Sequence, residues 1–389
     1  MPEIKLPTTD ARVVSYRTRA RVPHWEKANG ASRSRIFFSA AHVVADPLAD
    51  VEPWLSAALD WDATIAYRRY LWSLGLGIAE AMDTAQRGMG LDWPTALELI
   101  QRSVEAAREI PGALIFSGAG TDHLVPSPEL TIDEVIRGYE EQAEAIEAVG
   151  GRLILMASRA LVTAAKSPDD YATVYGRILS AAKEPVIIHW LGEMFDPALA
   201  GYWGAPDHGA AMEVCLGILG DHADKIDGIK ISLLDKEKEI AMRRRLPAGI
   251  RMYTGDDFNY PELIAGDEHG HSDALLGIFD AIAPAASAAL AALGRGSINE
   301  YHDILAPTVP LSRHIFKAPT RFYKTGIVFL AYLNGHQRHF RMVGGQESAR
   351  SLVHLAEIFR LADQAGILLD PDLAISRMRR ILDVGGLET

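Results

Sequence analysis

From residue 35 onward, short apolar runs alternate with longer segments whose apolar residues recur at three- and four-residue spacing. The first pattern predicts strands and the second amphipathic helices. The strand-like runs are 35–44, 77–85, 112–120, 152–158, 185–192, the stretch around DGIKIS (227–232), 250–258 and 271–279. Helix signals fall between them: Asp92 ahead of 91–110's periodic stretch, a Thr131–Glu134 capping box whose helix ends at Gly150 and Gly151, and Pro168 in a first turn. Strand and helix alternate with connections too short for separate domains, which predicts a parallel sheet covered by helices. Eight such repeats over about 250 residues predict an α/β fold, a closed (β/α)8 TIM barrel, rather than an open sheet.

Strand signals stop near residue 300, and INEYHDIL, VPLSRHIF, TRFYKTGIVFLAYLNG, ESARSLVHLAEIFRLADQAG and DPDLAISRMRRILD read as helices. The expected organisation is an N-terminal arm over 1–34, a barrel catalytic domain over 35–299 and a C-terminal helical region over 300–389. The arm is polar and basic, with Arg12, Arg17, Arg19, Arg21, Arg33 and Arg35 in it or at its end. It reads as an extended segment or hairpin laid on the surface, its arginines solvated or in interface contacts.

Composition narrows the function. The 389 residues are 48% hydrophobic and 23% charged, with a net charge of −12. That is an ordinary globular balance, and its sign speaks against a general nucleic-acid binder. Cys215 is the single cysteine, so no intrachain disulfide and no cysteine-built zinc site is expected. The first residues lack the apolar core of a signal peptide, and no run approaches about 20 apolar residues. A cytoplasmic protein with no membrane partner is expected.

The sixth strand carries the most pointed chemistry. Ile229, Ile231 and Leu233 alternate with Gly228, Lys230 and Ser232, so one face is apolar and the other presents a lysine between two small residues. Burial disfavours a charged lysine, and a lysine of lowered pKa is the group that forms a Schiff base with a carbonyl. The competing reading is a strand-end lysine that snorkels into solvent. In a barrel, chemistry gathers at the C-terminal ends of the strands. His42, Asp83, Thr84, Thr121, Asp122, His123, Ser158, Arg159, His189, Ser232, Gly255, Asp256, Asp257 and His271 are expected there; Asp122 and Asp257 equally suit helix caps.

These motifs, in this order, resemble the dihydrodipicolinate synthase and N-acetylneuraminate lyase family of class I aldolase-type barrels. DGIKIS resembles the family's Gly-Ile-Lys strand, whose lysine forms the Schiff base, and this carries over to Lys230. YTGDD (253–257) resembles its Ser/Thr-Gly-Asp-Asp turn, EPVIIHW (184–190) its fifth strand, AMDTAQ (81–86) the position of its Gly-Thr-Thr-Gly-Glu loop, and FKAPTRFYKTGIVFLAYLNG (316–335) its C-terminal helices. The departures are equally informative. His189 stands where the family has its proton-relaying tyrosine, and Trp190 replaces the asparagine after it. Only Thr84 remains of the threonine pair that cradles the carboxylate, and Met194 replaces an arginine. The chain therefore looks like a divergent branch with a different substrate.

The resemblance implies a Schiff-base lyase that cleaves or dehydrates a keto acid, with Lys230 and His189 catalytic. Thr84, Asp83, Arg159, Ser232, Gly255, Asp256 and Asp257 would bind a small-molecule substrate, sugar-derived to judge from the many polar acceptors. No cofactor and no metal is called for. It also implies a homo-oligomer, dimer or tetramer, with apolar residues of the C-terminal helices such as Ile327, Phe329 and Leu330 packing on the barrel and supplying a subunit interface. Two rivals stand beside it. A divalent-metal hydrolase or isomerase would use His42, Asp83, His123, His189, Asp257, His269 and His271, although no His-x-His follows the first strand. A non-catalytic metabolite-binding barrel would leave Lys230 idle.

Overall fold

The computed structural model describes residues 3–19, 23, 25–28, 34–205 and 207–387. A hairpin of β1 (Glu3–Pro7) and β2 (Val13–Arg17) comes first. Eight strands follow: β3 (Phe37–Ala40), β4 (Gly77–Glu80), β5 (Ile115–Ala119), β6 (Leu153–Leu155), β7 (Val186–Leu191), β8 (Ile226–Ser232), β9 (Arg251–Thr254) and β10 (Asp273–Leu276). They pair in parallel in chain order, and β10 closes on β3 to complete the barrel. This is the expected (β/α)8 TIM barrel.

Its helices are α1 (Trp61–Ser73), α2 (Trp93–Arg108), α3 (Ile132–Ala148), α4 (Arg159–Ala164), α5 (Pro168–Ala181), α6 (His208–Asp221), α7 (Lys236–Arg243), α8 (Tyr260–Ala265), α9 (Ile278–Ala281) and α10 (Ala283–Gly294). The caps read from the sequence are in place. Asp92 accepts the Thr95 amide at the start of α2, and Thr131 and Glu134 form the reciprocal box at the start of α3. Apart from β8, the strands are shorter than their apolar runs because the run ends turn into loops. Helix α4 has no counterpart in the sequence reading. Its six residues are too few to show a helical period, and it starts directly from strand-end Ser158, whose hydroxyl caps it.

Strand alternation divides the buried apolar side chains into two sets. Ile229, Ile231 and Leu233 join the large set between sheet and helices. Inside the barrel, Phe38, Ala79, Phe116, Ile154, Ile187, Tyr253 and Leu275 form a small set. Phe38 packs edge-on to Phe116 and Tyr253 at 5.5 and 5.9 Å between centroids. To this interior β8 adds Gly228, Lys230 and Ser232 and no apolar side chain.

The rest of the chain is α11 (Ile298–Leu305), α12 (Val309–Ile315), α13 (Tyr323–Leu333), α14 (Leu352–Gln364) and α15 (Pro371–Val384). The hairpin lies on these helices: Tyr16 donates to Asp363 at 2.7 Å and Arg360 to the Pro7 carbonyl at 2.8 Å. Of the arm's arginines, Arg12 and Arg17 pair with Asp10 and Glu3. Arg19 donates to the Gln364 carbonyl, whereas Arg21 and Arg33 lie outside the described residues. One expectation is corrected here. Ile327, Phe329 and Leu330 are wholly buried within the chain, because α13 is covered all round by α9, α12, α14 and α15, so they offer no subunit interface. Among the described residues no helix is long and apolar enough to cross a membrane.

Candidate active site

Lys230 is held by the register of the sheet. On β8 it stands directly beside His189 of β7 and Tyr253 of β9. Its stem lies over Gly255, where a Cβ atom would come within 2.8 Å of Lys230 Cε, so only glycine fits. On the other side of the same strand face, a Cβ at Gly228 would strike the Tyr253 ring. Lys230 is 7% exposed, and its ammonium has no hydrogen-bond partner among the described residues. Burial holds its pKa below the usual lysine value, against the pull of Asp257 and Asp83. Burial likewise pushes the Asp257 carboxyl up, with Lys230 opposing. Both groups are thus moved toward their neutral forms.

His189 is buried and points inward. Nε2 lies 3.1 Å from Ser232 Oγ, while Nδ1 has no partner. Burial and then the charge of Lys230 hold its pKa well below the usual value, so the ring is neutral near neutral pH. Ser232 thereby positions the histidine.

Two cavities open at the C-terminal end of the strands. The inner one, about 120 Å³, is bounded by His189, Asp83, Gly120, Thr121, Met156 and Arg159 among others. The outer one, about 490 Å³, has Asp83, Arg87, Arg159, Phe195, Arg321, Tyr323 and Lys324 in its walls. Lys230 forms part of neither wall, but His189, its partner on β7, borders the inner cavity, and Asp83, whose charge acts on it, borders both. The Asp83 carboxylate is part of both walls and accepts no hydrogen bond within the described chain.

The remaining expected residues separate. Thr84 is buried, with its hydroxyl 2.8 Å from that of Tyr323. Arg159 stands at the mouth, 2.5 Å from Asp196 and half exposed. Asp257 is buried and accepts the Ile278 amide at 2.9 Å. Asp256 is not free to bind substrate hydroxyls. Its oxygens accept the Phe258 and Asn259 amides and the Asn259 side chain, all in its own turn. Asp122, weighed as a cap, instead receives the buried Arg87 guanidinium, which also donates to the Gly118 carbonyl and to Gln142. For the metal reading, the described residues bring no three His, Cys, Asp or Glu side chains together.

Two residues of the site escaped the sequence reading. Tyr323 and Lys324 open α13 and reach over the mouth from the C-terminal region. Lys324 is 3% exposed. Its ammonium donates to the Met89 thioether at 3.1 Å and the Arg321 carbonyl at 3.2 Å, and among the described residues it forms no ion pair. Burial lowers its pKa to about 8, against Asp83. A lysine two places before a helical apolar run signals only a first turn; nothing local says that the turn faces a cavity.

Over residues 4–387 the chain matches, and belongs to, the family described as "Protein of unknown function (DUF993)". No curated protein matches the sequence. Among solved structures it is similar to a prophage protein of the dihydrodipicolinic acid synthase family from E. coli K12 in complex with pyruvate. The TM-score is 0.66 at 11% identity, covering 86% of this chain and 99% of that one. Dihydrodipicolinate synthase from Thermotoga maritima gives 0.62 at 14%, with coverage of 86% and 99%. The Acinetobacter baumannii enzyme complexed with pyruvate gives 0.61 at 15%, again covering 86% and 99%. At such identities the likeness is one of fold, and the barrel expected from DGIKIS and YTGDD is that fold.

Proposed function

We propose that this member of the DUF993 family is a Schiff-base-forming lyase that cleaves or dehydrates a keto acid, with Lys230 as the imine-forming group. The observation that carries the reading is Lys230 itself: buried on the inner face of β8, between Gly228 and Ser232, without a hydrogen-bond partner. A structural lysine would be paired or solvated. The neutral amine attacks the carbonyl carbon, and the resulting carbinolamine loses its oxygen as water to give the imine. Once protonated, the imine draws in electrons. In cleavage it receives the pair of the breaking C–C bond. In dehydration a base removes the α-proton and the enamine expels the β-hydroxyl as water.

His189, neutral and beside Lys230, is the group we assign to moving these protons. Asp83, unbonded at the junction of the two cavities, is assigned to substrate hydroxyls, and Arg159 to the outer edge. Thr84 and Ser232 position Tyr323 and His189. The reading calls for no cofactor, nucleic acid or membrane, and places the enzyme in the cytoplasm. It also includes a closed homo-oligomer. Its interface is assigned to the exposed Leu48, Trp54 and Leu55, which are 90%, 81% and 83% accessible. Light scattering at micromolar concentration is expected to give a mass above the monomer's.

Borohydride trapping with a panel of keto acids tests the chemistry. The expected result is a covalent adduct mapped to Lys230 and lost in Lys230→Arg, which retains the charge but forms no imine. An adduct on another lysine, or full activity in the arginine variant, refutes the assignment.

A further inference from the structure

The outer cavity is wider than an imine needs, and its walls are unevenly charged. Arg87 is spent on Asp122 and Arg159 on Asp196. Lys324 is buried and meets a thioether and a carbonyl but no anion. It sits in the first turn of α13, an eleven-residue helix whose positive dipole end adds to its charge. Arg321 stands exposed just before that turn, its guanidinium stacked on Phe322 and making no ion pair among the described residues. A buried cation left without a counter-ion in a cavity wall is a costly arrangement that a bound anion relieves. The Asp83 carboxylate lies between: it borders both cavities, and its charge is felt by Lys230 and by Lys324. An anionic group beside Asp83 would be repelled, whereas hydroxyl groups would donate to it.

We propose that Lys324, with Arg321 at the rim, binds a second anionic group of the substrate, a carboxylate or phosphate remote from the carbonyl that meets Lys230, with hydroxyl-bearing carbons passing Asp83 between them. This rests on the Lys230 reading for the position of the carbonyl and deepens it to a substrate class: a hydroxylated carbonyl compound with an anionic far end. The outer volume of about 490 Å³ accommodates such a chain.

Two measurements separate the subsite from the imine. Inorganic phosphate and malonate, which carry no carbonyl, are titrated against the whole protein by thermal shift. At least one is expected to raise the melting temperature in the wild type and in Lys230→Arg, and to lose that effect in Lys324→Met. Which anion acts tells phosphate from carboxylate. In the second measurement, borohydride labelling of Lys230 is compared for dihydroxyacetone against its phosphate and for pyruvate against 2-oxoglutarate. The member with the extra anion is expected to label at about tenfold to a hundredfold lower concentration, the range of a charged hydrogen bond. Lys324→Met should erase that advantage, and Arg321→Ala, a change at the exposed rim, should reduce it severalfold even if the methionine variant folds poorly. Neither anion shifting the wild type, or the advantage surviving in both variants, overturns the subsite. A Lys324-dependent shift without any Lys230 adduct upholds the subsite and defeats the imine.

Discussion

Two buried polar regions of this chain are built on opposite rules. On one flank, Arg68 of α1 and Glu80 of β4 form a fully buried pair at 2.8 and 2.9 Å. Ser103 and the Ala81 amide complete the carboxylate, and the His42 and Thr64 carbonyls accept from Arg68 Nη1. His42 in turn bonds Asp280, whose backbone carbonyl accepts from Tyr67; His42 Nε2 is left without a partner among the described residues. At the barrel mouth, among the described residues, the Lys230 ammonium has no hydrogen bond, the His189 ring lacks one partner, the Asp83 carboxylate accepts nothing and the Lys324 ammonium meets no anion. A chain that satisfies its buried charges so thoroughly in one place has left them open in the other. Open donors and acceptors are costly in the free protein and become useful when substrate supplies the partners. The contrast marks the mouth as the candidate site on grounds independent of any relative.

The comparison breaks first if the flank turns out dispensable. Arg68→Met leaves Glu80 buried without its cation, and is expected to cost about 3–5 kcal/mol in denaturant unfolding. A loss below about 1 kcal/mol would mean that the network is not the stabilising element described.

A smaller effect, on rate rather than stability, sharpens the other side. His189→Phe retains bulk and removes the proton carrier, and turnover is expected to fall at least about a hundredfold, within the range of general acid–base catalysis. The fold should be unaffected, since the ring makes one side-chain hydrogen bond. A loss under about tenfold removes His189 from the relay and turns attention to Tyr323, which is hydrogen-bonded to Thr84.

The part of this picture legible in the sequence was whatever depends on local period. Alternation placed Lys230 and His189 inside the barrel and Ile229 and Ile231 outside, and the side chains of Asp92 and Thr131 announced their caps. What depends on chain return was not legible. Ile327, Phe329 and Leu330 read as one apolar face, but α13 is buried on every side and has no free face. Tyr323 and Lys324 join the site only because that helix begins over the mouth, a long-range fact with no sequence period. Asp256 failed for the opposite reason: its partners lie two and three residues away, in a turn that side chain and backbone form together.

The smallest effect has the most telling sign. Lys230→Met removes a buried charge that nothing pairs, so it should stabilise the protein by about 0.5–2 kcal/mol while abolishing imine trapping, the trade expected of a functional group. Its pH dependence identifies the cause. Burial sets the Lys230 pKa in the folded protein below the ordinary 10.5. Between the two values the unfolded chain holds a proton that the folded chain has lost, so raising the pH favours folding there. Below the folded value both states are protonated and the folded state bears the whole cost; above 10.5 neither is, and the cost vanishes. The gain from methionine should therefore be largest below the folded value, and should shrink as pH rises through it toward 10.5. A gain that is flat with pH would come from better packing rather than from a removed charge. A loss of stability at neutral pH would show that Lys230 is held by a partner in solution, and the contrast between the two regions would then fail at its central residue.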